Sequence, residues 1–243
     1  LLEVVSYSDS LVKMVKNDHV QYILEEEEQN GITVHWESLI VDEGRANLVI
    51  KIDSPKYLNS YQIELNVIDP NKEKELNGEG FIGALQPEGW GARSIYKDID
   101  GNFVNCYYLE ENAAQEVAFL LAIDQDDVVS EFRLPVTIDQ NKIKEKKVVS
   151  VNEEMILNDQ KIVLESIELY PTHTNIRIFD TEENSKWIIS MEYQLKGNGT
   201  GVSNEVFHGV SSNRTSEYPE WLFLNTESLY YEDLESIDIT FTS

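Results

Sequence analysis

Cysteine is almost absent from this chain: Cys106 is the single one in 243 residues. One thiol can form no intrachain disulfide and cannot supply the cysteine ligands of a tetrahedral zinc site. Such a count suits an extracellular protein of Gram-positive type as well as a cytosolic one. Proline and glycine, at 6 and 12 residues, are too sparse for a collagen-like or low-complexity chain. Basic residues are few, 19 against 45 acidic ones, and the resulting net charge of -26 repels nucleic-acid phosphates and anionic lipid headgroups alike. Neither is an expected partner. Long apolar runs are missing too. The run from Val117 to Ile123 falls far short of the ~20 residues that span a bilayer, so no membrane helix is expected within the chain.

What is present suffices for a folded core, with 41% hydrophobic and 10% aromatic residues. Residues 8–17 read as a short amphipathic helix, with Ser8 or Asp9 as N-cap and Leu11, Met14 and Val15 on one stripe. Most of the rest alternates with the period of strands. Val20, Tyr22 and Leu24 open one strand, and the run from Glu25 to Glu28 reads as a solvated turn after it. Tyr61, Ile63, Leu65 and Val67 alternate with polar neighbours, as do Trp187 to Leu195 and Ile237 to Phe241. Val117 to Ile123 is apolar on both faces, which fits a central strand; Pro135, within the alternating run from Phe132 to Ile138, points to an edge.

Residues 30–50 match residues 158–178 without a gap. Asn30, Glu37, Ser38, Asn47 and Ile50 recur as Asn158, Glu165, Ser166, Asn175 and Ile178. In both copies the apolar parity slips by one residue at the Glu-Ser pair, which turns later side chains to the other face unless the strand bulges there. A shared slip points to a duplicated hairpin. Between the copies, Asn141 to Lys147 is polar and locally basic in an acidic chain, and a domain junction is expected there. The expected fold is mainly β. It comprises two tandem antiparallel β-sandwiches of Ig-like or fibronectin-like type, residues 1–145 with the helix and residues 146–243. The first is enlarged by an insertion over 76–102.

No chemistry-bearing motif stands out. His19, His35, His173 and His208 lie far apart, and no Gly-x-Ser-x-Gly elbow, P-loop or dinucleotide fingerprint occurs. Neither catalysis nor a cofactor is expected, although 45 acidic residues leave a carboxylate-based hydrolase as a third reading. Asp98, Asp100 and Asn102 space oxygens like the start of a calcium loop, but Gly101 stands at the fourth position and Leu109 at the twelfth. Asp100-Gly101 is equally a hairpin turn, which is the preferred reading. Trp90, in the glycine-bracketed stretch 80–91, is expected first to fold back onto its own domain; it is also the weak candidate for a ligand contact, with a sugar ring or a partner's pocket, and carries the alternative of a secreted or cell-wall glycan-binding module.

The Asn30-Gly31-Ile32-Thr33-Val34 opening and its partner strand Asn47 to Ile50 resemble a Bacillus-type family of extracytoplasmic domains of unknown function. In that family such a pattern follows an anti-sigma-like cytosolic segment and one transmembrane helix. Residues from Leu157 to Phe241 look like its C-terminal companion domain. The resemblance implies the outward-facing sensor or interaction module of a membrane-anchored regulator, with an unidentified protein, peptide or cell-wall ligand and no catalytic residues to carry across. The chain starts Leu1-Leu2-Glu3 without an initiator methionine, so the anchor is expected upstream, and membrane contact only through it.

Overall fold

The computed structural model of the chain describes residues 1–56, 62–70, 90–97, 101–109, 113–125, 128–157, 159–180, 192–199, 207–210 and 221–242, with residues 90–97, 207–210, 221 and 242 described by backbone alone. The fold is mainly β, with four antiparallel sheets and one short α-helix among the described residues. Two compact units divide it. The first holds Leu1–Ser6 and Val15–Ile143, the second Tyr7–Met14 and Lys144–Ser243.

In the first unit, β1 (Gln21–Gln29), β2 (Ile32–Val41), β3 (Arg45–Asp53), β5 (Trp90–Lys97) and β6 (Asn102–Leu109) form a sheet of order β1-β2-β3-β6-β5. The strands β4 (Ile63–Ile68), β7 (Glu116–Gln125) and β8 (Val128–Thr137) form the other, in the order β4-β7-β8. Alternate residues of both sheets share one core. Val34, Trp36, Leu39, Leu48, Ile50 and Phe103 come from the first sheet, and Leu65, Phe119, Leu121, Phe132 and Leu134 from the second. This is the two-layer arrangement of a sandwich, in which each sheet hides one face. β7 is buried on both sides, Ala118 and Leu120 forming a small cluster with Ile68 away from the main core. Pro135 lies on β8, an edge strand, where its missing N–H costs no ladder bond.

The second unit repeats the plan. β9 (Lys147–Leu157), β10 (Gln160–Leu169), β11 (Thr174–Asp180) and β14 (Trp221–Thr226) form a sheet of order β9-β10-β11-β14. The other sheet is β13 (Phe207–Val210), β12 (Glu192–Gly199) and β15 (Leu234–Thr242), in the order β13-β12-β15. Ile162, Leu164, Ile176, Ile178, Leu222 and Leu224 meet Tyr193 and Leu195 in its core. Tyr193 also ties layer to layer, its hydroxyl donating to the Asn225 carbonyl at 2.6 Å. Burial pushes this phenol above the usual tyrosine range. The units differ in two strands of the described residues: β5 pairs with β6 in the first sheet whereas β13 pairs with β12 in the second, and β8 has no counterpart in the second unit.

Two expectations change. The helix α1 (Asp9–Lys16) buries Leu11 and Met14, as its stripe predicts, but its packing partners belong to the second unit and not to residues 1–145. The carboxylate of Glu227 accepts from the Ser10 amide at 3.1 Å, from the Ser8 hydroxyl at 3.2 Å and from the Ser10 hydroxyl. An anion thus meets the positive end of the helix dipole. Lys13 pairs with Glu232, and the Tyr231 hydroxyl lies 3.1 Å from the Met14 sulfur. Proximity in sequence to the first unit is outweighed by these specific contacts. The junction itself falls at Ile143/Lys144, within the basic stretch. Secondly, Glu25 to Glu28 are not a turn but the exposed half of β1, and the turn follows at Asn30-Gly31, both with positive φ. An outermost strand bathed in water on its free side tolerates a glutamate run, and such charge discourages pairing with other chains.

The edges of the first unit's two sheets are laced by glutamines. Gln21 donates to the Thr137 carbonyl at 2.9 Å and accepts from the Asp139 amide at 2.8 Å, while Gln29 accepts from the Glu131 amide at 2.7 Å. These bonds satisfy backbone groups of the edge strand β8 and its continuation, which have no ladder partner on that side. Gln21→Ala is expected to lower the unfolding free energy by about 1–2 kcal/mol, two neutral hydrogen bonds at their usual net value. Urea denaturation with an unchanged m-value checks it, and Gln140→Ala, which removes a side chain bonded only to a neighbouring carbonyl, is the near-neutral reference.

Candidate functional site

The parity slip at Glu37-Ser38 is a β-bulge. Trp36 pairs with Ile50 and Ser38 with Val49, so Glu37 has no opposite number on β3. On its other flank Tyr22 pairs with Ser38 and Glu25 with Trp36, which sets Ile23 and Leu24 against Glu37 alone. Leu24 adopts φ 58° and is 77% exposed. A left-handed leucine costs about 1–2 kcal/mol, because its Cβ crowds the next carbonyl.

The bulge opens a groove of about 480 Å³ on the face turned away from the core, floored by β1 and β2 and reached by Lys51 of β3. Exposed Tyr22 and Leu24 line it together with Glu25, Glu26 and Glu37. His35 stands among carboxylates, its Nδ1 3.1 Å from Glu26 and its Nε2 3.0 Å from Asp53. Lys51 Nζ lies 2.9 Å from Asp53. That lysine is the main reason the Asp53 carboxyl sits below its ordinary range; slight burial opposes it, and His35 adds to it. Pairs this exposed contribute about 0–1 kcal/mol, so they orient side chains more than they hold the fold. Two lining residues are different in kind. Ser38 Oγ and Trp36 Nε1 are fully buried and have no hydrogen-bond partner among the described residues.

The second unit has the same bulge, at positions 128 residues later. Leu164 pairs with Ile178 and Ser166 with Arg177, leaving Glu165 unopposed, and Asn152 takes the place of Leu24 with φ 55°. The duplication therefore includes the edge strands, since Ser150 pairs with Ser166 and Glu153 with Leu164 just as Tyr22 and Glu25 pair in the first unit. The surfaces differ. Where the first unit has Val49, the second has Arg177, whose Nε lies 3.2 Å from the Glu165 carboxylate. Buried Glu168 stands where the first unit has Ile40. It accepts from Lys146 Nζ at 2.8 Å and Asn175 Nδ2 at 2.9 Å, with the Tyr170 hydroxyl at 3.3 Å. Burial works against the charged form of Lys146, yet the bonds to Glu168 and Tyr170 prevail and raise its pKa.

Of the residues singled out from sequence, Asp98 and Asp100 lie outside the described residues. Asn102 begins β6, opposite Lys51. Gly101 has φ 85°, its carbonyl accepts from the Ile52 amide at 3.2 Å, and Lys97 pairs with Phe103, as a β5–β6 hairpin requires. Trp90 opens β5 opposite Leu109, and its side chain lies outside the described residues. The groove residues were not singled out. Their signal was the parity slip itself, which marks the bulge but not the cavity beside it.

Exchanging the left-handed residues tests the strain directly. Leu24→Asn is expected to raise stability by about 0.5–1 kcal/mol, and Asn152→Leu to lower it by about 1–2 kcal/mol, in thermal or urea unfolding. Lys146→Met is expected to cost about 1–3 kcal/mol, since Glu168 keeps its burial and loses the nearer of its two cations, with Arg177 left at 3.7 Å. The sign with pH follows from the raised lysine value. This stabilisation is complete below the unfolded lysine pKa of ~10.4 and fades as pH climbs through the higher folded one, so the gap between wild type and variant should close in alkaline unfolding curves.

No family model matches the sequence, and no curated protein does. In structure the chain is similar to a crystal structure described as that of the conserved domain protein from Bacillus anthracis, with a TM-score of 0.56 and 14% identity, over 92% of this chain and 77% of that one. At such identity the likeness is one of fold.

Proposed function

We propose that the chain is the extracytoplasmic sensor or interaction module of a membrane-anchored, anti-sigma-like regulator, and that it acts by binding, not by catalysis. The observation that carries this reading is one bulged framework used twice with different chemistry on its outer face: an open groove around His35 in the first unit, a buried charge network around Glu168 in the second. Duplicated scaffolds that vary their surface while keeping their core are suited to recognition. The resemblance of the Asn30-to-Ile50 hairpin to Bacillus-type extracytoplasmic domains supports the setting. In architecture each unit is taken as a sandwich of the Ig-like or fibronectin-like kind in its two-layer packing only, because three consecutive strands share one sheet, unlike the immunoglobulin division into ABED and CFG.

Two measurements on the intact gene product test the proposal. Externally added protease should cleave the segment on whole cells. Replacing residues 1–243 by a neutral linker should abolish the stress response of a reporter for the cognate sigma factor. Protection from protease rejects the location, and an unaltered reporter rejects the sensor role.

A further inference from the structure

The glutamate at the bulge has different company in the two units. In the second, Glu165 faces Arg177 of the neighbouring strand at 3.2 Å. In the first, the arginine's position is Val49, which is fully buried, and Glu37 has no cation partner among the described residues. Glu25, beside it on the rim, has none either. The only lysine lining the groove, Lys51, is bound to Asp53. Next to these carboxylates, Ser38 offers a buried hydroxyl with no hydrogen-bond partner, and buried polar atoms are nearly always paired. Above lie two large exposed apolar side chains, Tyr22 and Leu24. The volume, about 480 Å³, is in the range of sites that take one or two side chains.

We propose that the first unit's groove binds a basic segment of a partner polypeptide, with a lysine or arginine side chain against Glu37 and Glu26 and an adjoining apolar side chain on Tyr22 and Leu24. The partner supplies in trans the cation that Arg177 supplies in the second unit. A net charge of -26 attracts such a segment from a distance, and the groove gives it a place to dock. Seating a cation at Glu26 competes with His35, so the imidazole reports occupancy. This proposal rests on the chain's being an interaction module and names the chemistry of its partner.

The probe is a fluorescein-labelled peptide of Gly-Arg-Leu repeats, added to the intact chain and followed by anisotropy, with Gly-Gln-Leu repeats as the uncharged counterpart. Saturable binding of the arginine peptide alone is expected, together with shifts of the His35 ring signals, identified by their loss in His35→Gln. The double variant Glu26→Gln/Glu37→Gln should weaken binding about tenfold. Glu153→Gln/Glu154→Gln, which removes the same charge from the second unit, should leave it within about twofold. Ser38→Ala should weaken binding about threefold while holding or raising the melting temperature, a combination that misfolding cannot produce. Equal losses in both double variants would mean unspecific attraction and overturn the site, as would unshifted His35 signals or no binding at millimolar peptide. A groove that fails here while the sigma-factor reporter still depends on residues 1–243 refutes the docking site alone; failure of both refutes the interaction module.

Discussion

The bulge at Glu37, and its twin at Glu165, is the constraint on which both units depend. Side chains on a strand alternate with period two, so one inserted residue transfers everything beyond it to the opposite face. Before the bulge, Val34 and Trp36 point inward; after it, Leu39 and Val41 do. If β2 ran on through Glu37 without a bulge, its second half would present Ser38 and Ile40 to the core and Leu39 to the outside. The neighbouring edge strand must accommodate the same irregularity. It does so with two residues where β2 has one, and a left-handed backbone at Leu24 in one unit and Asn152 in the other. Both strands of the pair deform together, at corresponding positions in both units, so the two units share a register although their side chains differ.

Because the bulge carries the fold, the outer face is free to diverge. The second unit spends it on internal order, placing Glu168, 5% exposed, among Lys146, Tyr170, Asn175 and Arg177. A buried carboxylate so surrounded is satisfied by several donors at once, which is the condition for a buried charge to persist. The helix docks on this same unit through a second buried-edge carboxylate, Glu227, at its N-terminus. The first unit keeps apolar Ile40 and Val49 at the matching positions and leaves its carboxylates toward the groove. One unit buries its carboxylate among cations and donors of its own, and the other turns its carboxylates to a groove.

Much of this was legible in the residues. Alternation located most strands, Pro135 marked an edge, and the run from Val117 to Ile123 proved to be the strand buried on both sides. The parity slip located the bulge to the residue. What sequence could not show followed from tertiary context. Glu25 to Glu28 read as a turn because four glutamates have poor strand propensity, and only an edge position makes a strand of them affordable. The helix stripe at Leu11 and Met14 was evident, but a stripe says that a face is buried and not against which unit. The duplicated segment was seen from Asn30 onward and missed over the edge strands, where Leu24 and Asn152 share a backbone conformation and no side-chain chemistry. The groove was illegible for a related reason: its walls are ordinary strand residues from three different strands, brought together by a register that no single stretch of sequence contains.

The contrast between Leu24 and Asn152 bears on the docking proposed for the first unit's groove. Asparagine tolerates the left-handed region because its short polar side chain bonds locally, and the second unit uses it there. Leucine has neither that relief nor burial to offset the strain, since it stands 77% in water. Its backbone strain is therefore not offset within the isolated fold. Burial of that side chain against an apolar group would recover roughly 1.5–3 kcal/mol, enough to exceed the strain. The free energy withheld from the isolated fold is thus of the size that docking on this edge could restore, and the second unit, whose equivalent residue is relaxed, has nothing comparable to gain.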